Sequence, residues 1–139
     1  MITENKNLDL IMKLRDLTAS SGLQWSRLRK YCLDNPNNRT LKTWYLSKNK
    51  NYESSIEAIV MEDSSFCTKF NQGTVIIFEQ SYKNDCWYSL GIQASEDSRI
   101  IESTTKNEHQ SEFLQLVHYI EQAIDSPDVF INSILAFEC

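Results

Sequence analysis

The sequence predicts an α+β fold: an N-terminal helix, an antiparallel sheet of about four or five strands, and two C-terminal helices, with the helices packed on one face of the sheet. Three observations predict it. Leu10, Leu14 and Leu17 fall at i, i+4, i+7, one face of a helix. Residues 40–103 carry β-rich runs separated by turn residues. Phe113, Leu116, Val117, Ile120, Ala123 and Ile124 then return to helical spacing.

The first helix is expected over about 6–20. Asn5 or Asn7 serves as its cap, and Gly22 suits the left-handed position after it. Leu23-Gln24-Trp25 reads as a short extended return to the core. Ser26 to Leu33 is ambiguous: Leu28, Tyr31 and Cys32 fit about one and a half helical turns, with Ser26 as the cap. Asp34-Asn35-Pro36-Asn37-Asn38 is a loop by its Asn-Pro and Asn-Asn steps.

Leu41 to Leu46 reads as a short strand, Ser55 to Met61 as a second, and Phe66 to Phe70 as a third. Asn71-Gln72-Gly73, with positive φ available at Gly73, turns the chain into Thr74–Gln80, so these two runs form a hairpin. Cys86 to Ala94 follows, with Tyr88, Leu90 and Ile92 on one face and Trp87, Ser89, Gly91 and Gln93 on the other. Such alternation implies one buried face. Arg99–Ser103 is an edge strand. Thr105 with Glu108, or Asn107 with Gln110, has capping-box spacing before the first C-terminal helix. Ser126-Pro127-Asp128 opens a second, which carries Val129, Phe130, Ile131, Ile134, Leu135 and Phe137. An apolar helix of this kind is expected to dock on the fold; undocked, it is a dimerisation surface.

The chain has 139 residues, enough for one domain with a core that needs no disulfide or metal. With 41% hydrophobic and 24% charged residues, it is neither disordered nor fibrous. Apolar runs such as Val75–Phe78 have four residues, far short of the roughly 18 a membrane span needs. With no signal-peptide pattern at the start, the expected location is the cytoplasm. There Cys32, Cys67, Cys86 and Cys139, far apart and without a CxxC pair, are expected to be free and mostly buried thiols.

The order of a helix ending at Thr18, the Leu23-Gln24-Trp25 step, a Gly-containing hairpin, the Tyr88-Ser89-Leu90-Gly91-Ile92 strand and a closing helix resembles a widespread class of small bacterial proteins. That class includes products of phages and mobile elements. The resemblance covers about two thirds of the chain, and residues 27–63 stand out from it as an insertion within a single domain, 1–139. It implies the fold and an accessory role, and no catalytic residues.

The residues themselves offer no catalytic motif. GxSxG, GxxxxGK and HExxH are absent, and three glycines cannot build a phosphate-cradling loop. His118 with Glu121 lacks a nucleophile, and Glu62-Asp63 and Glu96-Asp97 read as solvated turns. No enzymatic activity, cofactor or metal site is expected.

Charge is uneven. Residues 1–50 carry a balance of +6 and residues 51–139 a balance of −11, within a net −5. A basic half lying against an acidic half accounts for this, as does a charged partner. The densest stretch supplies the candidate binding residues: Arg27, Arg29, Lys30, Lys42, Trp44, Tyr45 and Lys48. Cations interleaved with aromatics grip single-stranded nucleic acid, although a pI near 5.0 opposes that footprint. The expected function is non-catalytic binding of another protein, as in a phage or mobile-element inhibitor of a bacterial defence or nucleic-acid-processing system. Nucleic-acid binding through residues 25–50 is the alternative. No membrane partner is expected, and a homodimer is compatible with the sequence.

Overall fold

The structure, a computed structural model, describes residues 4–48, 58–125, 131 and 134–137. Helix α1 (Glu4–Ala19) leads to strand β1 (Trp25–Arg27), then to helices α2 (Leu28–Asp34) and α3 (Arg39–Lys48). Strands β2 (Ile59–Phe70), β3 (Gly73–Tyr82), β4 (Asp85–Gln93) and β5 (Ile101–Glu102) follow, and α4 (Gln110–Asp125) closes the described fold. All five strands pair antiparallel, in the order β1-β2-β3-β4-β5.

The α+β class, the N-terminal helix, the antiparallel sheet and a C-terminal helix agree with the sequence reading. Helices α1 and α4 share one face, over a core of Ile11, Leu14, Trp25, Phe66, Ile77, Leu90, Phe113, Leu116 and Ile120. The other face is not open to solvent, as the alternation in β4 had suggested. It is covered by α2 and α3 over a second core of Leu28, Tyr31, Leu41, Val60, Cys67, Ile76 and Phe78. The sheet is therefore buried on both faces, which explains why Ile76, Ile77 and Phe78 are consecutive and all fully buried. On β4 the second face carries Ser89, Gly91 and Gln93 because large neighbours fill the space. A Cβ on Gly91 would lie 3.3 Å from Phe78.

Several local expectations are corrected. Leu41–Leu46 is helical, within α3, because Leu41 is buried while the chain's polar positions follow a helical period. The two strands expected at 55–61 and 66–70 are one strand from Ile59, broken by an irregularity between Met61 and Phe66. There Ser65 bridges the gap: its hydroxyl donates to Met61 O at 2.7 Å and accepts from Glu79 N at 3.1 Å. Residues 55–57 lie outside the described residues. Asn7 is not a cap; it is buried inside α1 and donates to Ser103 O at 2.7 Å.

The glycines next to two turns do not carry the positive φ. Ser21 and Asn71 do, at 62° and 55°. Gly73 is needed for close approach instead: a Cβ there would lie 2.6 Å from Gln93 O.

The second C-terminal helix falls largely outside the described residues. Its described apolar members, Ile131, Ile134, Leu135 and Phe137, are 45–77% exposed, so the expected docking on the fold is not observed. Cys32 is half-buried, Cys67 buried and Cys86 exposed, all free; Cys86 departs from the buried expectation. Among the described residues no helix is long and apolar enough to cross a membrane.

The Thr18 and Leu-x-Trp signature is structural. Trp25 Nε1 donates to Thr18 Oγ1 at 2.9 Å, and Thr18 Oγ1 donates to Leu14 O at 2.6 Å. At the other side of the sheet Gln110 acts in place of a strand: its side chain accepts from Tyr88 N and donates to Tyr88 O, at 2.8 and 2.9 Å. Thr104 Oγ1 accepts from Leu90 N at 3.0 Å. These side chains satisfy the edge of β4 beyond the reach of the short β5.

Candidate binding surface

The α2–α3 layer holds six of the seven candidate residues, and packing decides which remain available. Leu28 and Tyr31 turn α2 toward the sheet, and Leu41 does the same for α3. The opposite sides of these helices then fall at fixed spacing. Arg29, Cys32 and Leu33 stand at i, i+3, i+4 on α2, and Lys42, Tyr45 and Leu46 repeat that pattern on α3. With Pro36 these six residues line a cleft of about 200 Å³ between the two helices. Its lips are Leu33, 70% exposed, and Leu46, 55% exposed. No acidic residue lines it.

Arg29 and Lys42 flank this cleft, and neither has a salt bridge to a described residue. Tyr45 forms part of the wall, and its hydroxyl donates to a Glu62 carboxylate oxygen. Burial, reinforced by that carboxylate, pushes the Tyr45 phenol up to about 12. Cys32 is pushed up to about 11 by burial, against the opposing pull of the Lys42 charge, so the cleft carries a neutral thiol.

The other four candidates are engaged within the fold. Arg27 lies on β1, 5.9 Å above the Phe66 ring, and its guanidinium meets Asp125 at 3.5 Å. It belongs to the α1–α4 side. Lys30 pairs with Asp34 at 2.6 Å along α2. Trp44 packs edge-on against Phe78 at 5.0 Å, and its indole donates to Glu102 at 3.4 Å. Lys48, one turn later, pairs with the same Glu102 oxygen at 2.9 Å. Four of these contacts, Arg27–Asp125, Tyr45–Glu62, Trp44–Glu102 and Lys48–Glu102, join the basic first 50 residues to the acidic remainder.

The sequence reading missed Cys32, Leu33, Pro36 and Leu46. The i, i+3, i+4 repeat was the available signal, and it disappears once 41–46 is read as a strand. Alternation then puts Lys42 and Tyr45 on opposite faces.

Elsewhere the chemistry is sparse. A wider recess of about 710 Å³ beside the β2–β3 turn is lined by no titratable side chain. His109 Nε2 lies 3.4 Å from Glu108, whose carboxylate accepts from Thr105 N and Oγ1 in the turn before α4. The Thr105 backbone bond leads in holding the Glu108 carboxyl below its ordinary range. Among the described residues no three His, Cys, Asp or Glu side chains converge as metal ligands would. Comparison with protein-family models, curated proteins and solved structures gave no match.

Proposed function

We propose that the chain works by binding another protein through the α2–α3 cleft and performs no chemistry of its own. The observation that carries this reading is the pair of exposed leucines, Leu33 and Leu46, on the lips of a small cleft flanked by Arg29 and Lys42. Apolar side chains entering a pocket supply most of the affinity of such contacts, and the flanking charges set register and encounter rate. The complementary partner presents one or two large apolar anchors beside carboxylates. An accessory inhibitor of the phage or mobile-element kind, acting on a defence or nucleic-acid-processing protein, is the biological form this takes.

The nucleic-acid alternative needs free rings to stack on bases. Trp44 packs on Phe78 and Tyr45 bonds Glu62, while three of the five candidate Lys and Arg side chains are paired. Those contacts favour the protein reading.

The test is affinity capture from bacterial lysate, with and without nuclease. Wild type is compared with Leu33→Glu/Leu46→Glu and with Arg29→Glu/Lys42→Glu, each checked for fold by circular dichroism. A stoichiometric protein that survives nuclease, and is lost from both variants, is the expected result. Recovery of nucleic acid, or capture unchanged in both variants, overturns the reading.

A further inference from the structure

We infer that the chain also associates with itself, and that the occupant of the α2–α3 cleft in that state is the C-terminal segment of a second copy. The inference rests on the cleft being a docking site, as proposed above.

The segment has the chemistry the cleft asks for. Ile131, Ile134 and Leu135 stand at i, i+3, i+4, and with Phe137 they are 45–77% exposed. Four large apolar side chains within seven residues are more than an isolated surface needs. In the sequence Asp128 and Glu138 bracket these anchors, and no Lys or Arg follows Lys106. The cleft is the reverse: Leu33 and Leu46 at the lips, Arg29 and Lys42 beside them, no acid in the lining. Apolar anchors framed by carboxylates thus meet an apolar cleft framed by cations.

The root of the segment is well placed. Helix α4 ends at Asp125, whose carboxylate meets the Arg27 guanidinium at 3.5 Å, one residue before α2 begins. Five residues separate Asp125 from Ile131 in the sequence, so six peptide steps span at most about 20 Å. The expected arrangement is a second copy related to the first by a twofold axis. Each copy then gives its segment and receives the other, so the contact is made twice. The described apolar residues of the segment stay exposed on their own chain, which leaves them for the neighbour. Self-association of this kind closes the cleft, and a partner protein must compete with it.

The experiment is sedimentation velocity on the full chain across a concentration series. Ile134→Glu/Leu135→Glu disables the segment, and Leu33→Glu/Leu46→Glu disables the cleft. Wild type is expected to dimerise, and each variant to do so about tenfold more weakly or worse. An equimolar mixture of the two variants should form a heterodimer, because a sound segment then meets a sound cleft once. A wild type that stays monomeric at every concentration overturns the inference. So does a cleft variant that still dimerises while the segment variant does not, since the segments then pair with each other. Partner capture separates the two ideas. A monomeric wild type whose cleft variant loses its partner ends the self-association inference alone, and a dimer whose cleft variant keeps its partner ends the functional reading alone.

Discussion

The side-chain amides of Asn38 and Gln93 bond each other in both directions, at 2.8 and 3.0 Å, in the buried layer between α3 and the end of β4. Asn38 Oδ1 also accepts from Leu41 N at 3.1 Å, which satisfies the start of α3. Gln93 Nε2 reaches Ser98 O at 3.0 Å. One pair of amides therefore fixes the helix that carries half of the cleft.

Removing either amide leaves the other buried and short of a partner. Asn38→Ala is expected to cost about 2 kcal/mol, from the lost cap and the stranded Gln93. Gln93→Leu should cost a similar amount. The double variant should fall short of the sum by about 1 kcal/mol, because the two substitutions remove the same bonds. Urea denaturation of the three variants checks this.

Thr18→Ala strands the Trp25 indole N–H in the first core, where Trp25 is 7% exposed. The expected loss is about 1–3 kcal/mol. Thr18→Ser keeps the acceptor and should recover most of it. A thermal melt of the two variants against wild type separates the hydroxyl from the methyl.

Gly73→Ala pushes a Cβ to 2.6 Å from Gln93 O, a backbone atom that cannot swing aside. A loss of about 1–3 kcal/mol is expected. Gly22→Ala, whose nearest contact is 3.3 Å, should cost less. Equal losses at the two positions in denaturant titration would contradict this account.

The phenols of Tyr45 and Tyr88 are both pushed up to about 12, chiefly by burial. A raised folded value means the native state keeps its proton longer than the unfolded chain. The associated stability is complete below the ordinary value of 10.0 and is lost as pH rises from there through about 12. Denaturation midpoints should fall across that window, and Tyr45→Phe with Tyr88→Phe should flatten the fall. Tyrosinate absorbance gives the titration directly.

Alkylation should rank the described cysteines by exposure. Cys86 is exposed and should react first. Cys32 is half-buried with its thiol held up near 11, so it should lag. Cys67 is fully buried and should react only on unfolding. Peptide mass spectrometry over a time course reads the order.

The first core was legible in the sequence because its helices are amphipathic. Leu14 and Phe113, Leu116 and Ile120 repeat at helical spacing, and Tyr88, Leu90 and Ile92 at strand spacing. The second layer was harder to read. Helix α2 has seven residues and α3 has ten, too short for a clear period, and α3 is rich in residues that also favour strands. Its cationic residues were visible, but Glu62, Glu102 and Asp125, which engage four of the candidate side chains, are distant in sequence. What remained free could be found only after those pairings were seen.

The pairing of α1 with α4 has a consequence for the order of events during synthesis. Every strand of the sheet neighbours the next one along the chain, and the β2–β3 and β3–β4 hairpins close over turns of two residues. Arg15 and Gln115, which meet across the helix pair, are 100 residues apart. At about 5–20 residues per second a ribosome needs on the order of 5–20 s to make that stretch. Throughout that interval the apolar stripe of α1 has no α4 to cover it. The nascent chain therefore presents Ile11 and Leu14 to its surroundings, and a chaperone that holds short apolar helices has its natural opportunity there.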